Sequence, residues 1–221
     1  YMAEEQEGVS EEVEAVRQYN QTLTGSKVPD AFSVRDNVKD ADYENLLNVS
    51  NNGIMGSIEI PAIDIKLPVY HYTTDEVLQK GVGHLFGSSL PIGGESTHCV
   101  LSAHRGLPNS KLFTDLNLLK KGDTFYIKVY DEVLAYEVDE IQVVEPKETE
   151  ALAIEEGKDY VTLITCTPYA VNTHRLLVRG CRIPYDEEEY METLQNVRPR
   201  ISSSVWIHML CIIAGVGIAV V

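Results

Sequence analysis

Three side chains of complementary chemistry stand at the ends of strand-like segments: His104, Cys166 and Arg175. A thiol is the most nucleophilic ordinary side chain once deprotonated, and a nearby imidazolium or guanidinium favours the thiolate. His104 and Arg175 are the candidates to supply that charge, which makes Cys166 a candidate nucleophile. Taken one at a time they say little, since a lone cysteine at a strand end is usually packing and a lone histidine is usually inert. Two other readings compete at this level: a cysteine hydrolase that releases acyl groups to water, and a non-catalytic surface protein.

The elements that must position these groups are mostly β. Residues 54–60 and 63–70 alternate around Pro61 and predict two paired strands. Thr97–Ala103 is an apolar run that ends at His104, and 124–129 with 133–144 predicts a hairpin turning at Asp131-Glu132. Tyr160–Thr165 leads into Cys166 and is stopped by Thr167-Pro168, and Arg175–Ile183 supplies a last strand. The glycine-rich stretch 81–94 has room for one more. Helical spacing is confined to residues 3–23, 40–48, 74–80, 111–119 and 187–196. Seven or eight strands with few short helices, and no alternation of strand and long helix, predict a mainly β fold closed into a barrel.

The chain has 221 residues and a net charge of −16, which argues against a nucleic-acid partner. The four cysteines, Cys99, Cys166, Cys181 and Cys211, form no CxxC pair, so neither a zinc site nor a dithiol centre is indicated. The acids Glu145, Glu148, Glu150, Glu155, Glu156 and Asp159 match no oxygen-ligand loop and read as a solvated segment. Neither a metal nor a cofactor is expected. His71, His84, His98 and His174 read as structural or surface groups, and Arg179 shares strand parity with Arg175. Residues 205–221 are nearly all apolar and read as a truncated membrane span with Trp206 at the interface. Arg198 and Arg200, just before it, weakly favour a cytoplasmic position for the preceding domain.

The segment Thr162-Leu163-Ile164-Thr165-Cys166 resembles the TLxTC signature of sortases, with Arg175 nine positions later as in that family. Leu101–Pro108 is similar to the family's histidine segment and Asn172–Leu176 to its arginine segment. The resemblance runs over residues 54–183 and includes Ile54–Pro61 and Gly81–Leu85. It implies an eight-stranded sortase barrel and, among sortases, class C, whose members polymerise pilins. Those enzymes carry an N-terminal extension with a lid and often a C-terminal span. Here the matching lid is Pro29-Asp30-Ala31-Phe32, which departs from the family's Asp-Pro-aromatic motif at Ala31 and so lacks a fixed φ.

The organisation expected is therefore a helical extension over 1–53 with a lid near 27–35, a catalytic barrel over 54–185, a juxtamembrane helix over 186–204 and a truncated span over 205–221. By the resemblance, Cys166 attacks an LPxTG-like sorting signal between Thr and Gly, His104 acts as general acid and Arg175 holds the oxyanion or substrate backbone. A pilin lysine then resolves the thioester to an isopeptide bond. Asp30 and Phe32 of the lid are expected to cover Arg175 and Cys166. The partners implied are pilin subunits bearing the signal and an acceptor lysine, with the domain outside the cell and tethered through the C-terminal span. A housekeeping sortase that anchors proteins to the cell wall is the variant reading.

Overall fold

β-Branched and aromatic residues along the strands give each of them at least one face that must be buried. In the computed structural model, which describes residues 2–23, 28–33, 39–48, 50–107 and 110–196, eight strands solve this by closing on themselves. They are β1 (Ile54–Ile60), β2 (Ile65–His71), β3 (Val82–His84), β4 (Thr97–Ser102), β5 (Thr124–Val129), β6 (Glu132–Val144), β7 (Asp159–Thr167) and β8 (His174–Ile183). Their order around the barrel is β1-β2-β3-β4-β7-β8-β6-β5, with β5 pairing back onto β1. The β2–β3 and β4–β7 pairs are parallel and the others antiparallel.

The interior is apolar. A bulge between Ile54 and Gly56 switches the inward face of β1, so that Met55 and Ile58 both join the core. Phe125 and Tyr136, paired in the β5–β6 ladder, stack at 5.6 Å on its inner face. A Cβ at Gly180 would come within 2.5 Å of the Phe125 ring, so this position in β8 admits only glycine.

Among the described residues, four α-helices lie outside the barrel. The longest, α1 (Met2–Thr22), buries Val16 fully, and α2 (Ala41–Asn45) inserts Tyr43 beside it in the same core. Asn20 of α1 is 3% exposed and clamps residue 90 through both backbone groups, accepting from the Leu90 N–H at 2.7 Å and donating to its carbonyl at 3.2 Å. Thr74 caps α3 (Asp75–Lys80) by accepting from the Val77 N–H. The acidic α4 (Glu187–Asn196) docks through Tyr190, whose hydroxyl donates to the buried Glu59 carboxylate at 2.6 Å.

Three local expectations change. The hairpin turns at Tyr130-Asp131, one residue early, because Tyr130 takes φ +52°. The helical spacing at 111–119 yields only a one-turn 3-10 helix, Leu116–Leu118. Leu112 at φ +36° breaks the helix, while Leu112, Phe113, Leu116 and Leu119 still bury the predicted stripe. Asp159, expected in a solvated loop, begins β7 and accepts from the Tyr136 hydroxyl and the Gly94 N–H. Among the described residues no helix is long and apolar enough to cross a membrane. The expected span at 205–221 lies outside them, as does the juxtamembrane stretch from 197 onward.

Candidate active site

On β7 and β4 both faces are buried, which requires a second apolar layer outside the barrel. That layer consists of Leu85, Val100, Ile164 and Leu177 on the strands, Leu152 from a one-turn 3-10 helix (Glu150–Leu152), and Val28 and Ala31 from the N-terminal segment. Ala31 is 1% exposed, so the residue that departs from the family lid motif fills a pocket. Pro29 beside it stays in solvent.

The signature pentapeptide in β7 divides its work by parity. Leu163 points into the barrel core and Ile164 into the outer layer. Thr165, fully buried, donates to the Ala103 carbonyl at 2.9 Å, and the Ala103 N–H donates to the Ile164 carbonyl at 3.2 Å. This cross-link fixes the end of β4, and with it His104, beside the end of β7. Thr162 lies 2.7 Å from His98 Nε2. Cys166 follows on the outer face, directly opposite Arg175 in the β7–β8 ladder. Residues directly opposite on one face bring their side chains together, and Arg175 Nη1 stands 3.6 Å from Cys166 Sγ.

The lid segment sits on this pair. Asp30 takes Arg175 in a bidentate ion pair, Nε to Oδ1 at 2.7 Å and Nη2 to Oδ2 at 2.8 Å, with both side chains nearly buried. Phe32 lies between the other two groups: the Arg175 guanidinium is 4.9 Å from its ring centre and the His104 ring 5.8 Å away. All five residues singled out in the sequence thus converge on one patch.

Its electrostatics disfavour the charged forms of Cys166 and His104. Burial pushes the Cys166 thiol above its ordinary range, the Arg175 charge pulls it down, and Asp30 pushes it up again. Burial likewise holds the His104 imidazole below its usual value, with Asp75 acting in the opposite sense. Arg175 is kept charged chiefly by its hydrogen bonds to Asp30.

The remaining sequence candidates separate from this patch. Arg179 shares the outer face of β8 but is taken by Asp139 at 2.7 Å and stacks over Tyr160. Arg105 donates to Asn117 and lies over the Tyr169 ring. That ring packs so closely on Gly106, at φ +78°, that a Cβ there would come within 2.5 Å of it. His71, His84 and His98 are buried and hydrogen-bonded, and His174 is half-buried at the mouth of the β7–β8 loop. The polar ties made by Thr162, Thr165 and Asn20 were not foreseen. The alternating parity of the pentapeptide was the one available signal for the two threonines.

Residues 58–183, more than half of the chain, match the sortase family, described as the sortase domain. The chain belongs to the sortase family. It is similar to sortase C-1 of Actinomyces oris, at 45% identity and a TM-score of 0.76 over 80% of this chain and 99% of that one. It is also similar to sortase C of Streptococcus pneumoniae, a structure described as informative on pilin substrate specificity, at 50% identity and a TM-score of 0.73 over 80% and 88% of the two chains. Among curated relatives, Bacillus anthracis sortase A is 28% identical over 81% of this chain and 82% of its own. The protein is a sortase transpeptidase with class C structural neighbours and the eight-stranded barrel of the family. Sortases act on LPxTG-type substrates and are associated with the surface of Gram-positive bacteria. Among the described residues, no group of three or more His, Cys, Asp or Glu side chains converges as a metal site.

Proposed function

We propose that this sortase polymerises pilins, with Cys166 as nucleophile, His104 as general acid and Arg175 as oxyanion and backbone anchor. The observation that carries this is the direct opposition of Cys166 and Arg175 across β7–β8, Nη1 to Sγ 3.6 Å, with Phe32 sandwiched between Arg175 and His104.

The thiolate attacks the Thr carbonyl of the sorting signal, and the oxyanion forms beside a guanidinium already held at the thiol. His104 gives a proton to the departing glycine amine as the C–N bond breaks, leaving a thioester. A lysine amine of the next pilin attacks that thioester and expels the thiolate. The surplus ammonium proton returns to His104 and an isopeptide bond remains.

The lid regulates entry. While Asp30 neutralises Arg175 and Phe32 covers the site, both the thiolate and the imidazolium are disfavoured. A sorting signal must displace Val28 and Ala31 to lay its apolar side chains on Leu85, Val100, Ile164 and Leu177. Lid departure frees the guanidinium and rehydrates the thiol, so access and activation are coupled. The apolar segment 205–221 tethers the enzyme to the membrane with the barrel outside the cell, where pilins are joined.

Incubation with a pilin that carries an LPxTG-like signal and a lysine acceptor should give ladders that survive boiling in detergent, and none with Cys166→Ala. Ladders from Cys166→Ala would end the assignment of the nucleophile. Transfer to a cell-wall amine alone, with no ladder, would instead support the variant reading, a housekeeping sortase that anchors proteins to the cell wall.

A further inference from the structure

Among the buried titratable side chains that take no part in the chemistry above, one is tied to a segment that flanks the site. His98, on β4, is 1% exposed and lies on the outer side of the barrel wall. Its Nδ1 is 2.8 Å from the Ala153 carbonyl and its Nε2 is 2.7 Å from the Thr162 hydroxyl. A carbonyl only accepts, so Nδ1 carries the proton and Nε2 accepts from Thr162. This single neutral tautomer satisfies every polar atom involved, and burial disfavours the imidazolium. Tyr160 of β7 closes the pocket edge-on, with ring centres 5.6 Å apart.

The partner of Nδ1 gives His98 its significance. Ala153 is the C-terminal cap of the one-turn helix Glu150–Leu152, the segment that brings Leu152 and Ala151 over the pocket now filled by Val28 and Ala31. Leu152 itself is 4% exposed and packs in the outer layer, and Ala151 beside it borders a small, partly open depression shared with Glu140, Gln142, Thr162, Leu177 and Arg179. The ion pair of Arg179 with Glu155, just beyond the turn, is long at 3.6 Å and half exposed on the Glu155 side. Such a contact contributes little. The tie from His98 is short, and its imidazole end is sealed from water.

We infer that His98 is a positioning residue for substrate selection: through the Ala153 carbonyl it holds the 150–153 turn at the height where Leu152 grips the apolar residue of the sorting signal. Thr162, the first residue of the signature pentapeptide, is part of the same device, since its hydroxyl fixes the tautomer that points a proton at Ala153. The inference rests on the reading of the Cys166 face as the seat of the signal.

The test is acyl-enzyme formation on the full chain with an LPxTG peptide and with its LPxTG→APxTG analogue, followed by mass spectrometry of the thioester. It is run in an Asp30→Ala, Phe32→Ala background so that lid displacement does not compete with peptide. His98→Ala should raise KM for the leucine peptide about tenfold, the scale of one lost buried hydrogen bond, with kcat within about twofold. Preference for leucine over alanine should collapse in parallel. His98→Gln, which donates through its amide nitrogen and accepts through its oxygen, should restore both. Thr162→Val, close to isosteric, should move KM in the same direction by a smaller factor and serves if His98→Ala does not fold. Leu152→Ala should raise KM for the leucine peptide and remove most of the effect of a second substitution at His98, because both act through one wall. An unchanged KM, a fall in kcat alone, or undiminished leucine preference would overturn the inference, leaving His98 as packing. Absence of any thioester with His98 intact would instead overturn the active-site reading itself.

Discussion

Two apolar layers share the strands β4, β7 and β8, one inside the barrel and one outside, and they are held in opposite ways. The inner layer is walled by all eight strands and closed by hydrogen bonds around the ring, so none of its strand residues can leave without unfolding the sheet. The outer layer is covered by two short segments, the lid with Val28 and Ala31 and the turn with Leu152. These are fastened by one ion pair, one ring sandwich and one imidazole–carbonyl bond. On the proposed reading, the same apolar chemistry gives a permanent core on one face of a strand and a displaceable cover on the other. What separates them is how much backbone must move to expose each. Cys166 and Arg175 belong to the displaceable side.

The contrast is sharpest where the inner layer is damaged. Phe125→Ala removes a fully buried ring stacked on Tyr136 and should cost about 3–5 kcal/mol in denaturant unfolding. Below the unfolding transition, alkylation of Cys166 should stay within about twofold of the parent. A large change in thiol reactivity in the folded variant would show that the layers are mechanically joined. Next in size is the arginine pair of β8, two residues on one face with different partners. Arg175→Ala should lower the rate of thioester formation about 10²–10³-fold, as loss of an oxyanion partner does. Arg179→Ala, which frees Asp139, Glu140 and Glu155 and uncovers the Tyr160 ring, should keep kcat within about threefold. The reverse order would reassign the anchor.

The inner layer was largely legible in the sequence, since alternation in β1, β5 and β8 and the turn residues between them carry the closed β pattern. The candidate site residues were singled out for a different reason, by a pentapeptide and a fixed spacing to Arg175. The cover was only half legible. Asp30 and Phe32 could be picked out by resemblance, but Ala31 read as a missing proline and not as a side chain seated in a pocket. The bonds of His98 to Thr162 and of Asn20 to Leu90 join residues 64 and 70 positions apart, and no local pattern encodes such pairs. The spacing at 111–119 misled because Leu112 takes a left-handed conformation while the apolar stripe still buries.

A smaller effect tests the fastening itself. Asp30→Ala with Phe32→Ala removes the ion pair and the ring sandwich together and should speed alkylation of Cys166 about tenfold, the scale of a lost charge-assisted bond. Chemical stability should change far less than for Phe125→Ala, because the inner layer is untouched. Equal alkylation rates in parent and variant would mean that the lid neither covers nor restrains the thiol.

The finest distinction is between covering the thiol and opposing its charge, and the pH dependence of alkylation separates the two. The groups facing Cys166 are Arg175 across the ladder and Asp30 from the lid, while His104 under Phe32 is held neutral by burial. Burial raises the thiol first and the Asp30 carboxylate raises it further, so in the parent the rate should climb through a midpoint above that of an ordinary thiol. Phe32→Ala relieves burial and leaves the carboxylate, so its midpoint should fall and the fall should persist in high salt. Asp30→Asn removes the negative charge and releases Arg175 to act on the thiolate, so its midpoint should also fall. That second shift should shrink as salt screens the guanidinium, which acts at short range but at the edge of solvent once the lid has loosened. A midpoint that rises or stays fixed in Asp30→Asn would mean that the lid carboxylate does not oppose the thiolate. The resting state would then owe its low reactivity to the Phe32 cover alone.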